Sequence, residues 1–224
     1  VLALNKPEIP IVLTSRLRPV PMYVRKIDRE HRGRIPLNGK PVGFDLIACD
    51  WVAPHGQGKI IDLEVTMSWL LVGERSLEYS FKLVFPRAGD GIQRIEIPAR
   101  GRTNELLLPR EAPITGYVPS LEWGLITVGS PNHDPKKSSR STENDNYVFR
   151  VRSQVDASGK VTSAMYGKIH GALIADVGDD RHRRSADASG YMKFIYYLNP
   201  DQTRSLEWDM IRNLAGAENV PLEP

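Results

Sequence analysis

The chain has 224 residues, of which 41% are hydrophobic and 25% are charged. These values are typical of an ordinary globular protein with one core, and they exclude a fibrous or wholly disordered chain. The 30 basic and 27 acidic residues give a net charge of +3, a smaller excess than the clustered charge of nucleic-acid-binding proteins.

The first 42 residues contain no long hydrophobic alternation, and they predict an irregular N-terminal segment, residues 1–42. Within it, Ile11-Val12-Leu13 and Met22-Tyr23-Val24 are short candidate strands, and residues 26–40 read as a basic polar linker. Cys49 follows in an apolar run that predicts a strand, and we interpret it as a small buried hydrophobic residue. Because it is the only cysteine, the sequence excludes an internal disulfide and a thiolate metal cluster.

The clearest pattern lies between Ile61 and Phe85. Apolar residues occupy every second position over residues 61–69 and again over residues 77–85, with polar residues between most of them. Alternation of period two is typical of a strand with one buried and one exposed face. The turn sequence Gly73-Glu74-Arg75-Ser76 separates the two runs, so they predict an antiparallel hairpin.

Shorter runs of aliphatic and aromatic residues between turn signals predict further strands, at residues 92–97, 106–108, 123–128, 147–155, 161–177 and 191–198. The last of these is apolar on both faces, so we expect it to be central in its sheet. Two polar stretches, residues 130–146 and 178–190, are predicted loops, and loops of such length are often functional. Ser205 to Leu214 has near-helical apolar spacing, which favours a short helix over a final strand.

Together these elements predict an all-β fold, an antiparallel two-sheet sandwich or jelly roll of about eight to ten strands with at most one or two short helices. We expect residues 1–224 to form a single β-sandwich domain. No apolar run approaches the roughly 20 residues of a membrane-spanning helix. Val1 to Leu4 lack the features of an intact signal peptide, so processing of the N-terminus stays open; a periplasmic or secreted location is favoured.

No recognisable catalytic motif occurs in the sequence. The five histidines are scattered without metal-ligand spacing, and neither a nucleophile elbow nor a phosphate-binding glycine loop is present. We therefore expect no cofactor. Asp176, Asp179 and Asp180 form a partial set of calcium ligands, but they do not match the usual calcium loop, and the alternative is a solvated turn.

Two tryptophans are the candidate ligand contacts. Trp51 and Trp123 lie at predicted strand-to-loop borders, beside Asp50 and Glu122 respectively. An aromatic ring that stacks on a sugar, next to a carboxylate that binds its hydroxyls, is a common arrangement in carbohydrate sites. The alternative is that both rings close the ends of the core.

Basic clusters mark both predicted polar loops. They comprise Lys136, Lys137, Arg140, Arg181, Arg183 and Arg184. Because no aromatic residues are interleaved with them, stacking on nucleic acid is disfavoured. We expect these loops to become ordered against a partner chain.

The sequence therefore favours a non-enzymatic binding or assembly module that recognises a protein partner, another copy of itself or a carbohydrate through its loops. One alternative is a carbohydrate-active hydrolase whose paired carboxylates the sequence does not reveal. The other is a self-assembling coat or lattice subunit.

Overall fold

The computed structural model describes residues 17–71, 77–96, 108–128, 145–176 and 189–216. These residues form twelve β-strands and no helix. The strands are β1 (Val20–Ile27), β2 (Arg34–Pro36), β3 (Val42–Asp45), β4 (Asp50–Trp51), β5 (Leu63–Leu71), β6 (Leu77–Val84), β7 (Gly91–Glu96), β8 (Ser120–Val128), β9 (Asp145–Val155), β10 (Val161–Asp176), β11 (Ser189–Asn199) and β12 (Trp208–Asn213).

The strands form two sheets. The seven-stranded sheet has the order β12-β1-β11-β10-β9-β7, with β2 also paired to β11, and the five-stranded sheet has the order β4-β3-β5-β6-β8. Neighbouring strands are antiparallel except β1 and β12, which are parallel. The all-β, two-sheet prediction is confirmed. More strands form than expected because β2 and β4, at three and two residues, are too short to leave an alternation in the sequence.

The core lies between the two sheets and draws its side chains from both. Each large side chain that it buries contributes about 1.5–3 kcal/mol. The five-stranded sheet supplies Phe44, Leu63, Val65, Met67, Tyr79, Phe81 and Leu83, and the seven-stranded sheet supplies Ile27, Phe149, Val151, Ile169, Phe194 and Leu198. Two buried hydroxyls also link the layers, since Tyr79 Oη donates to Ala175 O at 3.4 Å and Tyr196 Oη donates to Leu46 O at 2.5 Å.

The hairpin predicted between Ile61 and Phe85 is confirmed as β5 and β6, which pair from Glu64↔Val84 to Leu71↔Leu77. The alternation fails at its start. Ile61 is 38% exposed whereas Asp62 is fully buried, because the chain enters the ladder at Leu63 and the Asp62 carboxylate binds an arginine of the other sheet.

The outer face of the seven-stranded sheet is also covered. Residues 108–118 and 205–208 pack across it and bury two smaller apolar clusters, which contain Ala112, Val148, Ala164, Tyr166 and Leu206 in one and Met22, Val24, Tyr197 and Trp208 in the other. This second layer explains why β11 is apolar on both faces. The prediction that β11 is central is confirmed, because it lies between β1 and β10.

The helix favoured over Ser205 to Leu214 does not form. That segment contains β12, whose Trp208 ring packs against Tyr197 with a centroid distance of 5.4 Å. The apolar residues that suggested a helix do not share a buried face, since Leu206 is buried but Ile211 is exposed. The backbone groups of β1 offer a sheet ladder instead, and such tertiary pairing overrides local propensity.

Two other predictions need correction. The N-terminal segment is not irregular throughout, because β1 and β2 lie within residues 17–42 and β1 is an interior strand of its sheet. Cys49 lies in a turn between β3 and β4 with a positive φ of 52°, rather than in a strand. The predicted strand at Ile11-Val12-Leu13, most of the one at residues 106–108, and most of both polar loops lie outside the described residues.

Candidate interaction surface

Both candidate tryptophans belong to the core. Trp51 is 5% exposed and Trp123 is 9% exposed. Their rings make edge-to-face contacts with Phe44 and Phe81, at centroid distances of 4.9 and 4.7 Å. With so little exposed surface, neither ring presents a face on which a sugar can stack, and the packing favours the alternative of core closure.

The carboxylates beside these tryptophans have different partners. Asp50 is buried, accepts hydrogen bonds from Trp51 N and Gln57 N, and lies 2.6 Å from Arg32 Nη1. Glu122 is exposed, 3.5 Å from Lys82 Nζ of the adjacent strand.

The two tryptophan–carboxylate pairs are also far apart. Their strands, β4 and β8, are at opposite ends of the five-stranded order, which separates them by four strand spacings, or roughly 19 Å. The structure therefore does not bring the two pairs into one site.

The remaining predicted sites fall mostly outside the described residues. This is true of the basic loop residues Lys136, Lys137, Arg140, Arg181, Arg183 and Arg184, and of Asp179 and Asp180. Asp176 is described, at the end of β10. Within the described ranges, no group of three or more histidine, cysteine, aspartate or glutamate side chains is arranged to hold a metal ion. The same ranges contain no helix long and apolar enough to cross a membrane.

A buried charge cluster that the sequence did not predict joins the two sheets. Arg152 of β9 donates from Nε to Asp62 Oδ1 at 2.8 Å and from Nη2 to Asp62 Oδ2 and Asp45 Oδ1, both at 2.9 Å. Asp62 is fully buried and Asp45 is 5% exposed. The only signal in the sequence is a carboxylate next to each of two apolar strands. Nothing there identifies an arginine 90 residues beyond Asp62 and 107 residues beyond Asp45 as their partner.

The surroundings of Asp45 and Arg152 favour the ionised form of each. Burial alone would raise the pKa of Asp45, but hydrogen bonds from the backbone of Ala48, Lys59 and Ile60 and the charge of Arg152 hold that pKa below its ordinary value. Burial would likewise lower the pKa of Arg152, yet its carboxylate partners raise it. A cluster whose charges are fixed in this way ties the sheets together and is a poor source of a catalytic proton.

Asp90 supports this cluster from the turn before β7. Its two carboxylate oxygens accept hydrogen bonds from Arg152 N at 3.1 Å and Ser153 N at 2.8 Å. These bonds hold Arg152 at a φ of 55°, an unfavourable conformation for a residue with a side chain. Burial raises the pKa of Asp90 in spite of these bonds. We therefore assign Asp90 a structural role, which is to hold the backbone of Arg152 and Ser153 in place.

The thiol of Cys49 is not activated. It is partly buried, and this burial raises its pKa above the ordinary value despite a hydrogen bond with Tyr196 and the nearby charges of Arg25 and Arg32. Since the thiolate is the nucleophilic form, a raised pKa makes a cysteine unreactive.

A further surface feature lies at β12 and at the residue that follows it, where three apolar residues are exposed. Met210 is 50% exposed, Ile211 is 93% exposed and Leu214 is 46% exposed; we call these three residues the β12 ridge. Among the described strands, β12 is the last of the seven-stranded order. Within the part of the chain that the structure describes, the ridge therefore lies along an edge of the sandwich.

A bulge creates the β12 ridge. β1 residues Val20 and Met22 pair with Trp208 and Asn213, so residues 209–212 must loop out of the ladder. Asp209 fixes this loop, since its Oδ1 accepts from Ile211 N at 3.2 Å and its Oδ2 accepts from Arg212 Nε at 2.7 Å. Beyond the loop, the Asn213 amide bonds to both backbone groups of Val24 and restores the attachment to β1.

A groove lies beside the residues that immediately precede β12. Its volume is about 370 Å³, and its lining residues are Leu17, Arg18, Arg110, Glu111, Ser205 and Glu207. Glu207 anchors one wall by accepting hydrogen bonds from Leu17 N at 2.9 Å and Arg18 N at 2.7 Å. Its other oxygen is 3.4 Å from Arg110 Nε. The two arginines of this lining are balanced by two glutamates, so the groove has no strong preference for one sign of charge.

Comparison with known proteins adds no assignment. No protein-family model matches the chain, and no curated protein and no solved structure matches it either. We therefore choose the β12 ridge and the adjoining groove as the candidate functional site because of the exposure of the ridge and the shape of the groove.

Proposed function

We propose that this chain is a non-enzymatic assembly module that binds another protein chain through the β12 ridge. The observation that carries the proposal is the exposure of Met210, Ile211 and Leu214 together on one edge of the sandwich. Single exposed apolar residues are common on protein surfaces, but clusters of them mark interaction sites.

The surroundings of the ridge support the same function. Stable interfaces place apolar side chains at the centre and charged groups at the rim. Asp209 and Arg212 flank the two most protruding ridge residues, and the Arg212 side chain is 60% exposed. The ridge thus has an apolar centre between two charges, an arrangement suited to a partner of defined orientation.

The buried ionisable groups give less support to a hydrolase. Glycoside hydrolysis requires a carboxylic acid with a raised pKa near a second carboxylate and the sugar. Asp90 has a raised pKa, but both of its carboxylate oxygens accept backbone hydrogen bonds, from Arg152 and Ser153. Asp45, which shares Arg152 with Asp62, has a lowered pKa instead. A coat or lattice subunit, in contrast, is a particular case of an assembly module and is compatible with the proposal.

Photo-crosslinking tests the proposal. A photo-reactive amino acid is placed at Ile211, and in a matched control at Leu70, which is 62% exposed on β5 of the other sheet. After irradiation in the cells from which the chain comes, we expect a discrete adduct with a protein at position 211 and little at position 70. Equal labelling at both positions, or no adduct at position 211, would contradict the proposal.

A hydrolysis screen gives a second result. Turnover of a glycan that is lost when one described carboxylate is replaced by its amide would contradict the non-enzymatic part of the proposal. We expect no such turnover from the purified chain.

A further inference from the structure

We infer that the chain bound by the β12 ridge is a second copy of this chain, related to the first by a two-fold axis that passes between Met210 and Ile211. This inference rests on the proposed function and makes it more specific. A two-fold interface is formed by the same patch on both copies, so the patch must be complementary to itself.

The order of residues along the ridge satisfies this condition. Asp209, Met210, Ile211 and Arg212 follow one another as an acid, two apolar residues and a base. The pairing requires the looped residues 209–212 to extend and the Asp209–Arg212 contact within each chain to open. When two such extended segments lie antiparallel about the proposed axis, each Asp209 faces the partner's Arg212 and each Met210 faces the partner's Ile211. Opposite charges and apolar side chains are therefore matched at all four positions.

The opposite orientation is disfavoured by the same residues. In a parallel arrangement in register, Asp209 would face the partner's Asp209 and Arg212 would face the partner's Arg212. Like charges placed opposite each other suppress a wrong pairing. The ridge therefore favours the antiparallel arrangement over nonspecific apolar association.

In a single copy of the chain, Asp209 and Arg212 pair with each other, and in the proposed dimer each would pair with the other copy instead. Arg212 Nε lies 2.7 Å from Asp209 Oδ2 of its own chain, and the two side chains are 60% and 20% exposed. The pair across the axis can form only if this internal pair opens, at a free-energy cost that the contacts between the two copies must exceed. Burial of Met210 and Ile211 then supplies the main driving force.

The groove extends the same contact. If the antiparallel pairing continues, Leu214 faces position 207 of the other copy, where Glu207 and Leu17 line the groove. Leu17 is 72% exposed and Leu214 is 46% exposed. Each copy would thus place its Leu214 at the mouth of the groove of the other, so that both exposed leucines become covered.

Sedimentation of the purified full chain, with charge-reversed variants, tests the inference. We expect a dimer at about 100 μM, the range of a moderate interface. Asp209→Arg and Arg212→Asp should each be monomeric, because like charges then face each other across the axis. An equimolar mixture of these two variants should form a dimer again, since every charge at positions 209 and 212 then faces the opposite charge.

Two apolar variants provide the matched control. Ile211→Ser should weaken the dimer at least about tenfold, as expected for a central interface residue. Leu70→Ser removes a comparable exposed side chain from the other sheet and should leave the dimer unchanged. Circular dichroism checks that each variant is folded. If a charge-reversed variant is unfolded, the comparison of Ile211→Ser with Leu70→Ser still tests the inference.

Three results would overturn the inference: a wild-type monomer at that concentration, a dimer that the charge reversals do not affect, or a mixture that stays monomeric. They are distinguishable from failure of the proposed function. If position 211 cross-links to a different protein while the purified chain is monomeric, the ridge is still a binding surface, and only its assignment to a second copy is wrong.

Discussion

At the level of single residues, Arg152 is a charged side chain that joins the two sheets. It is the shared partner of Asp45 and Asp62, and both carboxylates are buried. A buried ion pair is not in itself strong evidence of stability, but removing one member leaves an uncompensated charge in the interior.

Replacement of Arg152 by methionine should therefore lower the free energy of unfolding by about 3–5 kcal/mol. Lys82→Met is the matched control, because Lys82 pairs with Glu122 on the surface and an exposed pair contributes at most about 1 kcal/mol. Urea denaturation of both variants measures the difference. Equal losses would show that Arg152 does not hold the sheets together.

Trp123 provides a second test at this scale. Because its ring is buried against Phe81, Trp123→Ala should destabilise the protein by about 3–5 kcal/mol. Ile114, which is 70% exposed, gives the control variant Ile114→Ala with little expected effect. A stable Trp123→Ala protein that has lost binding on a glycan array would instead favour the sugar-contact interpretation.

The turn between β1 and β2 carries the clearest dependence on pH among the described elements. Asp28 lies at its start, 3.0 Å from Lys26 Nζ and 2.7 Å from His31 Nδ1. Burial would raise its pKa, but these side chains and the backbone of His31 and Glu30 lower it from 3.8 to about 2. Since the folded state prefers the ionised form, Asp28 stabilises the fold above pH 3.8, and this contribution is lost as the pH falls through about 2.

Asp28→Asn should therefore be less stable than the wild type at pH 6, and the difference should disappear by about pH 2. Urea midpoints measured for both proteins between these values test the expectation. A difference that stays constant over the range would mean that the ionised carboxylate is not the cause.

Elements differed in how well the sequence predicted them. β5 and β6 were predictable because one face of each is buried by the opposite sheet and they are close together in the sequence, so burial alone creates the pattern. β12 was not predictable from its own residues, because its ladder partner β1 is almost the whole described chain away. The interaction surface was missed for the same reason, as the exposure of Ile211 follows from a bulge that only this pairing produces.

At the scale of the whole molecule, one apolar cluster contains side chains from both sheets. Neither sheet has a separate core on its inner face, so we expect the described strands to unfold as one cooperative unit. In hydrogen exchange at increasing urea concentrations, amides of β5 and β10 should lose protection at the same midpoint. Separate midpoints would divide the chain into two folding units and contradict the prediction of a single domain.

The position of β1 has a consequence for biosynthesis. Both of its ladder partners, β11 and β12, come late in the chain, and Leu17 beside it contacts a residue 190 positions further on. A nascent polypeptide therefore leaves the ribosome with β1 unpaired and keeps it so until β11 has been translated. During that interval Met22 and Val24, both fully buried in the finished protein, are accessible to chaperones and to neighbouring nascent chains, and pairings that span so much sequence form slowly.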